Sequence, residues 1–270
     1  MPSEIRERTA ADHEAAHATY LRAVAALGAA DLRYLVGGTH AFSHYTGIER
    51  NSKDFDIFVA RNDFDNVMAV LGRAGFTTEL TFPHWLGKAS CTDGFLDVIF
   101  SSGNGVSAVD EAWFEYAVEG TAFGVPVKLS PAEEIIWSKA FIMERERYDG
   151  ADVMHLFLAR AEQLDWARLV RRFGPHWRVL FSHLCLFGFM YPSERQRIPA
   201  WLMAGLMGRL DHEMRTAPPS ERIAHGTLVS REQYLVDIES WGFKDARLTE
   251  ASAMTYDDVA TWTRAINEKK

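Results

Sequence analysis

Apolar and polar positions follow two different periods along this 270-residue chain, and the change between them divides it. Residues 10–29 are Ala-rich, with Leu21, Val24 and Leu27 at helical spacing, which predicts a helix. Residues 33–36 read as a short strand ending at Gly37-Gly38, residues 39–46 as a short helix, and residues 54–60 as a second strand. Over 62–74 the stripe Phe64, Val67, Val70 and Leu71 predicts a helix that Asn62 or Asp63 caps and Gly75 ends. Three β-type stretches follow at 76–82, 84–91 and 94–100, with Asp93-Gly94 as a hairpin turn between the last two. Residues 121–129 predict a further strand pair turning near Gly124. From Ser130-Pro131-Ala132-Glu133 the period becomes helical, with Ser130 as N-cap, Pro131 at the first helical position and Glu133 at the third. Helical patterns then run to about residue 215, punctuated by Pro192, Pro199 and Pro218-Pro219.

The expected organisation is therefore an α+β chain. An N-terminal helix (1–30) packs on a small mixed β-sheet core with flanking helices (31–129). A helical C-terminal region (130–215) and a more polar extension (216–270) follow, the extension offering Trp241 and Trp262 as small apolar anchors.

Composition narrows the function classes. With 47% hydrophobic and 24% charged residues the chain is of ordinary globular type and long enough to bury a core without staples. A net charge of -8 argues against bulk DNA or RNA binding, which needs a basic surface. Cys91 and Cys185 lie far apart in apolar surroundings and read as buried thiols of a reducing compartment. The charged N-terminus lacks a signal core, and the apolar stretch at 179–190 reads as core packing too short to span a bilayer. The expectation is a cytoplasmic protein with no membrane partner.

Chemistry concentrates in three places. A strand running into Gly37-Gly38 and then a helix offers backbone N–H groups that an anion can approach closely; a plain tight turn explains the glycines too. Asp54 and Asp56 sit in Lys53-Asp54-Phe55-Asp56-Ile57-Phe58-Val59. On a strand both carboxylates would share a face, with Phe55, Ile57 and Val59 opposite. Two anions ~6 Å apart repel by roughly 3 kcal/mol at an effective dielectric of ~20, a penalty that a divalent cation would convert into binding. Mg²⁺ takes one or two carboxylates together with phosphate and water oxygens; a solvated strand end is the alternative. Asp97 interrupts the apolar run Phe95-Leu96-Asp97-Val98-Ile99-Phe100, where an unpaired carboxylate is costly. A metal shared with Asp54 and Asp56 accounts for it, and so does a bond to Arg, Lys or backbone amides.

This combination of Gly37-Gly38, Asp54-Phe55-Asp56-Ile57 and Asp97 on a later strand resembles the polymerase-β-like nucleotidyltransferase superfamily over residues 31–155. Arg50-Asn51-Ser52-Lys53 resembles the basic and hydroxyl lead-in of its stand-alone bacterial members, the AbiEii-like toxins and their relatives. Fifteen residues separate Gly38 from Asp54, slightly more than the commonest spacer. The resemblance implies that Gly37, Gly38, Arg50 and Lys53 bind the nucleoside triphosphate (ATP or another NTP). Asp54, Asp56 and Asp97 would hold one or two Mg²⁺ ions, Asp97 helping to deprotonate an acceptor hydroxyl. It further implies a catalytic, triphosphate-facing Lys139 and an acceptor-assisting Asp152.

Each of these has a simpler account. Lys139 lies beside the stripe Ile135, Ile136, Phe141, Ile142 and can snorkel. In Glu144-Arg145-Glu146-Arg147-Tyr148-Asp149-Gly150-Ala151-Asp152, Asp149 can cap the next helix with Asp152 in its first turn. Trp85 and Lys88 can touch a base or acceptor, or simply belong to a half-buried strand. His40 and His44 lack the glutamate of a zinc-protease helix. The expected activity is Mg²⁺-dependent transfer of a nucleoside monophosphate from an NTP to a hydroxyl on a small molecule, protein or RNA, with release of pyrophosphate. The alternatives are an inactive nucleotide-binding module and a toxin–antitoxin-type interaction protein of the same fold.

Overall fold

The computed structural model describes residues 10–50, 52 and 54–265, with side chains from Ala16 onward. The chain forms two compact units. One takes the chain up to His40, Glu49–Phe100 and Val109–Ser130; the other takes Ala41–Ile48, Ser101–Ala108 and the chain from Pro131.

The first unit is built on a mixed sheet. Its elements are α1 (Ala10–Ala29), β1 (Leu35–Val36), the start of α2 (Gly38–Thr46), β2 (Phe55–Phe58), α3 (Phe64–Arg73), β3 (Thr77–Phe82), β4 (Leu86–Cys91), β5 (Gly94–Ile99), α4 (Glu111–Glu115), β6 (Val118–Ala122) and β7 (Val125–Leu129). The strand order is β3-β4-β5-β2-β1-β7-β6, antiparallel except for the pairs β2/β5 and β1/β7. Strict alternation sets the faces: Phe55, Ile57, Leu96 and Val98 are fully buried, while Asp56 and Asp97 occupy the other face. α1 and α3 pack together, and α1 also meets β5. The buried stripe of α1 is Ala16, Tyr20, Ala23 and Leu27, rotated from the expected Leu21/Val24 line because the small alanines permit close approach. In α3, Phe64, Val67, Met68 and Leu71 are buried. Leu35, Val109 and Trp113 form a further cluster that Phe58 joins by stacking on Trp113 at 4.9 Å. The short α4, not expected from the pattern, starts at Asp110, whose side chain accepts from the Ala112 amide.

The second unit is mainly helical: α5 (Ala132–Ala140), α6 (Gly150–Arg160), α7 (Trp166–Phe173), α8 (Trp177–Met190) and α9 (Ala200–Arg215). α5 starts one residue later than expected. Pro131 in extended conformation is its N-cap, so Ser130 is not the cap. The buried Glu134 of α5 receives the Arg168 guanidinium at 2.7 Å and Arg172 Nε at 2.9 Å, both from α7. That pairing compensates a carboxylate which burial pushes above its ordinary range. α8 turns Leu180, Leu184 and Phe187 inward but exposes Phe189 and Cys185, which corrects the expectations of a wholly apolar core helix and of two buried thiols.

The extension after residue 215 has its own structure: β8 (Ile223–Ala224) pairs in parallel with β9 (Lys244–Asp245), and the short α10 (Leu235–Glu239) and α11 (Tyr256–Arg264) accompany them. Its centre is charged: Arg247, 1% exposed, binds Asp245, which also accepts from Thr227 Oγ1 at 2.8 Å. Trp241 is 60% exposed, whereas Trp262 lies under the Arg231 guanidinium. Among the described residues no helix is long and apolar enough to cross a membrane.

Candidate metal and nucleotide site

The site face of the first unit is a row of residues in register. In the parallel β2/β5 pair Asp56 lies directly beside Asp97, and in the antiparallel β4/β5 pair Asp97 lies directly opposite Lys88. Asp54, at the bend leading into β2, completes the group. One carboxylate oxygen from each of Asp54, Asp56 and Asp97 lies within 4.8 Å of the others. All three residues are half-buried.

Their environments differ. Asp54 Oδ1 accepts from Ser52 Oγ at 2.6 Å, which fixes its rotamer. Asp97 Oδ1 accepts from Lys88 Nζ at 2.9 Å. Burial pushes the Asp97 carboxyl above its ordinary range; Lys88 opposes that push and the charge on Asp54 adds to it. Of the two sequence readings of Asp97, the pairing to a base is observed, and the same carboxylate also approaches Asp54 and Asp56. An all-oxygen donor set with one oxygen per carboxylate converging suits a hard divalent ion such as Mg²⁺.

The glycines close the other side of the row. The Gly37 amide donates to the Asp56 carbonyl at 3.0 Å, so it is part of the sheet and not a donor for an anion. Gly38 opens α2 with φ +52°, and a Cβ there would sit 1.8 Å from Asp56 Oδ2. A Cβ on Gly37 would strike the Phe58 ring at 2.2 Å. Both positions need glycine, and at Gly38 this lets the backbone at the start of α2 approach the Asp56 carboxylate closely. Any anion held here is held by amides from Gly38 onward.

The remaining predicted residues are placed as follows. Arg50 is exposed in the loop before β2, and Lys53 lies outside the described residues. His40 packs edge-on to Phe55 and 4.5 Å from the Phe123 ring, an aromatic contact and not a metal pair with the exposed His44. Trp85 stacks on Phe82 at 5.9 Å. In the second unit Lys139 Nζ lies 2.8 Å from Asp149 Oδ2 and 2.9 Å from Asp152 Oδ2. Arg147 adds two hydrogen bonds to Asp149, while Arg145 is exposed. Asp149 stands at the head of α6 without a side-chain cap bond, so its carboxylate serves the two cations instead of the helix. Burial alone would raise the Asp149 pKa, but Arg147 and Lys139 overcome it and bring it down to about 2.

No protein-family model and no curated protein matches the chain. Several solved structures are similar to it. The ANT(2")-Ia complex with adenylyl-2"-tobramycin is 18% identical, with TM-score 0.45, over 60% of this chain and 97% of that one. The lincomycin-bound lincosamide antibiotic adenylyltransferase LnuA is 15% identical, with TM-score 0.38, over 52% and 94%. JHP933 from Helicobacter pylori is 15% identical, with TM-score 0.39, over 77% and 94%. These are likenesses of fold and carry no argument about activity. The Gly-Gly turn after β1, the Asp-x-Asp entry to β2 and the third aspartate on the adjacent β5 thus come together at one place on the sheet.

Proposed function

We propose that the chain is a Mg²⁺-dependent nucleotidyltransferase that moves a nucleoside monophosphate from an NTP to a hydroxyl-bearing acceptor. The observation that carries this reading is the convergence of Asp54, Asp56 and Asp97 within 4.8 Å, next to a glycine whose Cβ would collide with Asp56. Three carboxylates gathered at a half-buried point repel one another, and a fold keeps such an arrangement where bound charge relieves it.

Asp54, Asp56 and Asp97 hold the metal, which when bound neutralises phosphate charge and polarises the phosphoryl oxygens. The amides from Gly38 onward receive the triphosphate at the start of α2. Asp97, beside the metal, also serves as proton acceptor for the acceptor hydroxyl. The acceptor oxygen forms a bond to the α-phosphorus, the bond from that phosphorus to the β-bridging oxygen breaks, and pyrophosphate leaves with the electron pair. Catalysis is then chiefly positioning and charge stabilisation. The roles implied for Lys139 and Asp152, triphosphate contact and assistance to the acceptor, belong to the same proposal, as does nucleotide contact by Arg50.

The test is transfer of label from each of four α-labelled NTPs to small-molecule, protein and RNA fractions of a cell lysate. Label that appears with wild type and Mg²⁺, and falls at least a hundredfold with Asp56→Ala, supports the reading. Absence of any Asp56-dependent label with all four nucleotides contradicts it. Lys139→Met examines the second part: a folded variant transferring at the wild-type rate removes Lys139 from the machinery.

A further inference from the structure

Lys88 sits where an ordinary sheet lysine would not. A lysine on an open strand face extends its ammonium toward water. This one has two acidic cross-strand neighbours, the exposed Glu79 on β3 and the half-buried Asp97 on β5. Its ammonium lies on Asp97, 2.9 Å from Oδ1, and is held from the side by the Phe95 ring at 4.5 Å from the ring centroid. The lysine side chain is 37% exposed and the aspartate 16%. The row across β3, β4, β5 and β2 therefore reads acid, base, acid, acid, and the single base touches the carboxylate that closes the metal group.

We propose that Lys88 is a resident cation on Asp97, holding that carboxylate in ligand position while the site is empty and competing with a divalent ion for it, so that it tunes the metal affinity. The inference rests on the reading of the three aspartates as a divalent-ion site. An ammonium and a divalent ion sharing one carboxylate repel each other, and even a water-screened contact of a few ångströms weakens binding by roughly tenfold. Removing the ammonium frees Asp97 Oδ1 for the ion. It also takes from Asp97 the ammonium paired with it, so the metal-free protein loses stability.

The experiment is isothermal titration of Mn²⁺ into the EDTA-stripped full chain, with thermal melting in EDTA and in saturating Mn²⁺. Lys88→Met, with Lys88→Gln as its second form, is expected to bind Mn²⁺ roughly tenfold more tightly than wild type. It should melt lower than wild type in EDTA and recover in Mn²⁺. Lys88→Arg, keeping the charge, should bind as wild type does. In an Asp97→Asn background the Lys88→Met gain should vanish, because the shared carboxylate is gone. Unchanged or weaker Mn²⁺ binding by both neutral variants, with wild type binding normally, overturns the role of Lys88 and leaves the metal site standing. Failure of wild type and variants alike to bind Mn²⁺ overturns both. Neutral variants that stay unfolded in saturating Mn²⁺ also overturn the proposal, since Lys88 would then be needed for the fold itself.

Discussion

At Gly38 one added methyl group would place a carbon 1.8 Å from Asp56 Oδ2, on a backbone already at φ +52°. Gly38→Ala is therefore expected to lose about 1–3 kcal/mol of stability in denaturant unfolding and to weaken Mg²⁺·NTP binding at least tenfold. A variant that binds as well as wild type would remove the glycine from the site. Asp56 gives the opposite sign: in EDTA, Asp56→Asn should raise stability by about 1 kcal/mol by relieving like-charge contact with Asp54 and Asp97, an advantage that Mg²⁺ erases. These residues were legible in the sequence because the signals are local: the glycines break a strand, and Asp54 and Asp56 share a face by the two-residue period. Lys88 reads in the sequence as a strand residue or a contact to a base or acceptor, not as the partner of Asp97. Its partner depends on which residue lies across from it, although the hairpin turns at Thr92-Asp93, one residue before the expected Asp93-Gly94, and the Cys91–Gly94 pair beside it steps back in register to Lys88 and Asp97.

Pairing between elements explains what else was and was not readable. The β4–β5 hairpin carries its register in its own turn, but the parallel β2/β5 pairing that sets Asp56 beside Asp97 depends on a crossover between distant segments. α4 escaped notice because a five-residue helix has no periodic stripe, only the cap at Asp110. At the start of α6 packing decides the local bonding: Asp149 stands at the N-cap position, but its side chain makes no cap bond and pairs with Lys139 and Arg147. Its pKa lies below the ordinary 3.8, at about 2, so the native state holds the proton more weakly than the unfolded chain. Stability from this group is complete above the unfolded value and is lost as pH falls through about 4 toward 2. Asp149→Asn should remove about 2 kcal/mol at pH 7 and flatten the acid limb of the stability curve between pH 5 and 2. An acid limb identical to wild type would contradict the clamp.

For the molecule entire, net charge and site chemistry point the same way. A chain of net charge -8 gathers three of its carboxylates at one point, where on the proposed reading a small polyanion binds only in company with metal. Without metal a triphosphate should be repelled; with Mg²⁺ it should bind and raise the melting temperature by mass action. The most direct test is calorimetric titration of non-hydrolysable analogues of ATP, GTP, CTP and UTP, with Mg²⁺ and with EDTA, into wild type and Asp56→Asn. Saturable one-to-one binding of at least one analogue, present with Mg²⁺ and lost both in EDTA and in the variant, is the predicted result. Binding that ignores Mg²⁺ or survives Asp56→Asn unchanged, or no binding of any of the four, would contradict the account.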